Sequence, residues 1–202
     1  MMSSSIIFLL SLLSGNTYAD EKAISEAALN PFQTPLTLQQ QHQGELDFEA
    51  IYTVLQHPRC LNCHPSGDAP LQGEQSLPHV MNITRSSSQA GLECAACHQT
   101  QNSESYGVDG GPPGAPNWHL PSKDMPLVFQ GLSSNELCEQ LKDPARNGQM
   151  SLTDLYNHIA TDPLVIWGWT PGGARSVPPI PHDVFAAHFK SWVSLGGPCP
   201  SP

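Results

Sequence analysis

Four stretches of the chain carry apolar residues at helical spacing. From Glu45, Phe48, Ile51, Tyr52 and Leu55 recur every three or four positions, one face of a helix that stops at Pro58. Ser133-Ser134-Asn135-Glu136 reads as a capping box and opens a helix bearing Leu137 and Leu141, ended before Pro144. Ser151-Leu152-Thr153-Asp154 opens another through Leu155 and Ile159, ended before Pro163. Pro181 starts a last helix with Phe185, Phe189, Trp192 and Val193 on one face, closed by Gly196-Gly197. Between Pro65 and Pro121 the periodicity is lost, and Gly107-Val108-Asp109-Gly110-Gly111-Pro112-Pro113-Gly114-Ala115-Pro116 is a loop by composition. No strand pattern emerges. The expected fold is mainly α with extensive irregular loops and no significant β-sheet. It forms a single domain over 45–199, with an irregular part (45–130) before a helical part (131–199).

Ahead of that domain, Ile6 to Leu13 is an apolar run too short to span a bilayer and the length of a signal-peptide core. Thr17-Tyr18-Ala19 supplies small residues for cleavage, so 1–19 is expected to be a signal peptide. Residues 20–44, with Gln39-Gln40-Gln41, are expected to be a polar, mobile lead-in. Such a leader implies a periplasmic, soluble protein with its cysteines in an oxidising compartment. No longer apolar run offers a membrane span.

Eight Lys and Arg against 18 Asp and Glu give a net charge of −10. Phosphate backbones would repel such a chain, which argues against a nucleic-acid partner. Charged residues make up only 13% of a 202-residue chain that also holds 20 prolines and 16 glycines. A core this thin calls for covalent staples or a bound apolar group.

The cysteines supply both. Cys60-Leu61-Asn62-Cys63-His64 and Cys94-Ala95-Ala96-Cys97-His98 repeat one C-x-x-C-H pattern, the attachment signature of a c-type haem. Thiols three positions apart can each form a thioether to a haem vinyl carbon, and the next residue, His, then lies under the iron. A single zinc held by four thiolates and a redox dithiol compete, but neither needs a His after each second Cys. Two covalently attached c-type haems are therefore expected, with His64 and His98 as proximal ligands. Cys94 follows Cys60 by only 34 residues, too few for tandem single-haem domains, so the haems should share one domain and lie close. The remaining pair, Cys138 and Cys199, reads as a disulfide.

For the second axial ligands, His79 and His119 stand out, each in irregular chain beside apolar residues. Met125 and His57 are runners-up. Met81 or Met125 would give His/Met ligation and a higher potential than His/His. His158 lies on a helix, facing the Leu155 and Ile159 side, and His42, His182 and His188 are expected to face solvent. Trp167-Gly168-Trp169 suits either a porphyrin face or an aromatic core. Arg146 suits a haem propionate or, more simply, the surface.

The run from His57 to Pro65, together with Pro78-His79, Trp118-His119-Leu120, Leu141 to Gly148 and Asp162 to Trp169, resembles a family of small exported dihaem cytochromes. Its members are often labelled as a subunit of isoquinoline 1-oxidoreductase, a molybdenum hydroxylase. The resemblance spans about residues 47–199. It implies a cytochrome that takes electrons from a hydroxylase, since this chain has no molybdopterin or iron–sulfur signature of its own. The expected function is electron relay rather than catalysis, to a redox partner that docks through a basic patch. A haem enzyme with one open distal site, acting on peroxide or a nitrogen oxide, is the alternative; a gas or redox sensor would want an output domain that is not evident.

Overall fold

The computed structural model describes residues 35–103 and 111–202. The expected signal peptide, residues 20–34 of the lead-in and Gly107 to Gly110 of the loop lie outside them. The chain divides into units of Met1–Thr37 and Leu38–Pro202, and every element below belongs to the second.

Helix α1 covers Leu38–Leu55. It begins seven residues before the apolar periodicity does, so residues 38–44 are helical rather than an extended lead-in. The added turns are exposed up to Gln43. Apart from the exposed Leu38 they are Gln and His, good or tolerable helix formers, braced by hydrogen bonds from Gln41 to Glu45 and from Gln43 to Asp47. Such turns leave no apolar signature. From Gly44 the helix buries Phe48, Ile51, Val54 and Leu55.

A short helix α2, Pro58–Leu61, follows, so Pro58 both bars α1 from continuing and starts the next turn. The described residues between 62 and 133 are almost wholly irregular. Among them, the paired segment is a two-residue antiparallel ladder of β1 (Leu71–Gln72) and β2 (Leu77–Pro78), with Leu71 opposite Pro78.

The capping serines work as read. Ser133 and Glu136 close a reciprocal box at α3 (Ser134–Lys142), and Ser151 and Asp154 do so at α4 (Leu152–Thr161). Between them Asn147, fully buried, donates to the Leu141 and Met150 carbonyls and accepts from the Met150 N–H. Asp162 caps the one-turn α5 (Pro163–Ile166), and α6 spans His182–Ser194.

The core lies between α1, α3, α4 and α6. Phe48 packs on Trp192 at 5.2 Å between ring centres, and Phe185, Phe189 and Trp192 form a chain of aromatic contacts along α6. Leu137, Leu141, Leu155 and Ile159 complete it. Cys138 of α3 is bonded to Cys199, the pairing expected from the sequence. His182 and His188 are not simply solvent-facing. His182 Nε2 bonds the Ile159 carbonyl, and His188 Nδ1 lies 2.8 Å from the buried Asp47, so both tie α6 to its neighbours. His42 is exposed, as expected. Among the described residues no helix is long and apolar enough to cross a membrane.

Candidate functional site

The first C-x-x-C-H motif is a helical turn. Cys60 lies in α2, and the N–H groups of Cys63 and His64 both donate to the Cys60 carbonyl at 3.1 Å. The second is built alike on a 3₁₀ turn, Cys94–Ala96, with the Cys97 and His98 N–H groups on the Cys94 carbonyl. One turn between the cysteines puts both thiols of a motif on one face.

Each motif histidine is held in the same two ways. His64 Nδ1 lies 2.7 Å from the Leu127 carbonyl, and His98 Nδ1 lies 2.7 Å from the Pro113 carbonyl. A carbonyl only accepts, so each Nδ1 carries the proton and each Nε2 keeps its lone pair, the tautomer a metal needs. His64 also stacks on Phe129 with ring centres 3.8 Å apart, and His98 stacks on Trp118 at 4.6 Å. Burial pushes His64 down to about 4; the Leu127 carbonyl opposes this, while His158, Arg85 and His119 add to it. Burial also lowers His98, the Pro113 carbonyl opposing and His79 and Arg175 adding. Both rings are therefore neutral at pH 7.

Burial raises the thiols as well: Cys60 to about 12, with Cys63 adding and Arg59 opposing, and Cys63 to about 11. Cys94 is raised for the same reason, whereas Cys97 is exposed.

The two motifs meet at one cavity of about 630 Å³, where Cys63 comes from the first and Cys94, Cys97 and His98 from the second. A further cavity of about 490 Å³ shares Cys94, His98, Trp118 and His119 with it. Both fall in the size range of small-molecule and cofactor sites. Arg59 reaches the larger one from below. Its guanidinium is almost fully buried and pairs with Glu74 through Nη2 at 2.8 Å, while Nε, also buried, has no protein partner. Arg175 lines the same cavity.

His79 and His119 both line the larger cavity. Each bonds a backbone carbonyl through Nδ1, His79 that of Val80 at 2.7 Å and His119 that of Asn117 at 2.6 Å. His79 stands 6.0 Å from His98 between ring centres. The runners-up are placed differently. His57 caps α2 through Nδ1 and meets the Ser176 hydroxyl through Nε2, so both its nitrogens are engaged. Met125 is half-buried in a turn closed on Ser122 and lines neither cavity. Met81 lines the larger cavity but is 75% exposed. His158 is exposed and paired with Asp162. Arg146 pairs with Asp143 at the surface, away from both cavities. The two tryptophans of Trp167-Gly168-Trp169 divide: Trp167 lines the cavity edge-on to Trp118, and Trp169 packs on Phe185.

Asn102 carries no signal in the amino-acid pattern. Its Oδ1 accepts from the Trp167 indole at 2.8 Å and from the Gly114 N–H at 3.1 Å, and its Nδ2 donates to the Thr170 carbonyl. One amide thus ties the loop that carries Pro113 to the turn that carries Trp167. Arg59, Phe129 and the Leu127 and Pro113 carbonyls were equally silent.

These side chains fit a covalently attached haem best at the second motif, where Cys94, Cys97 and the neutral His98 all line a cavity of suitable size with a buried guanidinium beside it; of the first motif only Asn62 and Cys63 reach that cavity, and Cys60 and His64 line neither. They do not suit one shared zinc, because among the described residues no three His, Cys, Asp or Glu side chains converge as metal ligands. In comparisons with known proteins the chain matches no family model, no curated protein and no solved structure.

Proposed function

We propose that this chain is an exported dihaem c-type cytochrome, relaying electrons between a redox enzyme and a downstream acceptor, with a molybdenum hydroxylase as the candidate donor. The observation that carries this reading is the matched construction of the two motifs, each histidine bonded through Nδ1 to a backbone carbonyl, with Cys63 of the first and Cys94, Cys97 and His98 of the second lining one cavity. A c-type haem supplies reversible one-electron chemistry at iron.

The chain's own residues do the rest. Cys60 and Cys63, and Cys94 and Cys97, supply the thioether sulfurs. His64 and His98 give neutral nitrogens whose orientation is fixed by the carbonyl and the aromatic stack. Arg59 and Arg175 offer positive charge to propionates at the cavity wall. His79 and His119 offer two more imidazoles at the same cavity, which would close the iron sites so that the protein passes electrons without binding a substrate. The net charge of −10 favours a partner with a basic patch.

The test is the full chain produced with a c-haem maturation system. Intact mass should show two covalently added haems, and the oxidised protein should give two low-spin EPR signals. A mass without haem would sink the proposal. Two haems with one high-spin iron would replace the relay with an enzyme that has an open distal site.

A further inference from the structure

We infer that His79 is the second axial ligand of the haem attached at Cys94 and Cys97, opposite His98. The inference rests on the dihaem reading above and adds to it the identity of one ligand pair.

Two imidazoles that bind one metal from opposite sides, each through Nε2 at about 2 Å, have ring centres roughly 6 Å apart. His79 and His98 stand 6.0 Å apart, their planes crossing at 59°. That separation matches the one required by a single metal atom bound between the two rings.

The tautomers agree. Both rings spend their Nδ1 proton on a backbone carbonyl, that of Val80 for His79 and that of Pro113 for His98. In each ring Nε2 is thus the nitrogen left for a metal. Both side chains line the 630 Å³ cavity, as do both thiols of the motif.

The backbone around His79 is built to hold it there. Its N–H donates to the Pro70 carbonyl at the end of the β1–β2 ladder. The chain then turns through Met81 and Asn82 at φ 66° and 54°, a left-handed conformation that is strained for Met81 and easier for Asn82. Met81 gains no burial from this conformation, being 75% exposed. The turn instead leaves His79 at the cavity. His119 competes for the same role because it lines the same space. Of the two, His79 is the ring that stands at the bridging separation from His98.

The experiment replaces His79 in the full, haem-loaded chain and reads EPR and visible spectra, with covalent haem counted by mass. In H79A, one of the two low-spin signals should be lost to a high-spin signal of equal iron content and return on addition of imidazole. H119A should leave the signal of the Cys94 haem in place. To assign the signal, H79A is repeated in C60A/C63A, which retains only the second attachment site; there the whole spectrum should turn high-spin. If H79A fails to mature, H79M should mature with a long-wavelength iron–methionine band on one haem. Two haems that stay low-spin and spectrally unchanged in H79A, or no methionine band in H79M, would overturn the pairing and leave the dihaem reading standing. Absence of covalent haem from the unmutated chain would remove that reading itself, and the pairing with it.

Discussion

At the scale of single residues, the site depends on groups that carry no signature of their own. Gly114 is one. A Cβ there would run into the carbonyl oxygens of Gln99 and Gln101, while its N–H is held by Asn102. Since Pro113 supplies the carbonyl that orients His98, G114A should cost about 1–3 kcal/mol and perturb the spectrum of the Cys94 haem while sparing the other. Urea unfolding and EPR on one sample would check both parts. Both cysteine motifs and the two added histidines were legible because side-chain type and spacing announce them. The Leu127 and Pro113 carbonyls were not, because every residue has a carbonyl and only the fold chooses which one meets a ring.

At the scale of elements, the sequence spoke clearly where caps or apolar faces mark a boundary. Ser133 and Glu136, and Ser151 and Asp154, sit where their spacing placed them. It was silent at the start of α1, where the first turns face solvent and nothing apolar repeats. It was also silent about Gly44, buried within α1. Glycine weakens a helix interior by roughly 1 kcal/mol relative to alanine. Its presence is explained by Pro198, whose ring occupies the space a Cβ would take. G44A should therefore destabilise by about 1–3 kcal/mol despite the gain in helix propensity. The decisive comparison is with E49A, an exposed position on the same helix, where thermal unfolding should move little. The irregular segment 62–133 was legible only as irregular. Its order comes from long-range hydrogen bonds, such as Asn102 to Thr170 and Arg85 to Pro121, which no local pattern encodes.

At the scale of the whole molecule, a helical frame holds the irregular site segment. The Cys138–Cys199 bond closes that frame across a sequence separation of 61. Replacing both cysteines by alanine should cost about 2–4 kcal/mol, seen as a lower Tm by calorimetry. Haem content should remain at two per chain, because neither cysteine belongs to a motif. The net charge of −10 acts over the same scale. Electron transfer from the reduced protein to a basic single-haem cytochrome should slow several-fold between 10 and 200 mM salt, since the Debye length falls from about 30 Å to under 10 Å. Stopped-flow mixing would measure it, and a rate independent of salt would remove electrostatic docking from the account.

The double hold on each motif histidine has a consequence for rate. A centre that gains and loses an electron must rearrange its surroundings each time, and the work of rearrangement sets part of the barrier. His64 is fixed by the Leu127 carbonyl and by Phe129, and His98 by the Pro113 carbonyl and by Trp118. A ring pinned both in its plane and across its face has little freedom to turn when the charge beside it changes. On the relay reading proposed above, that hold would keep the reorganisation energy low, so that the ligand geometry is much the same before and after an electron passes.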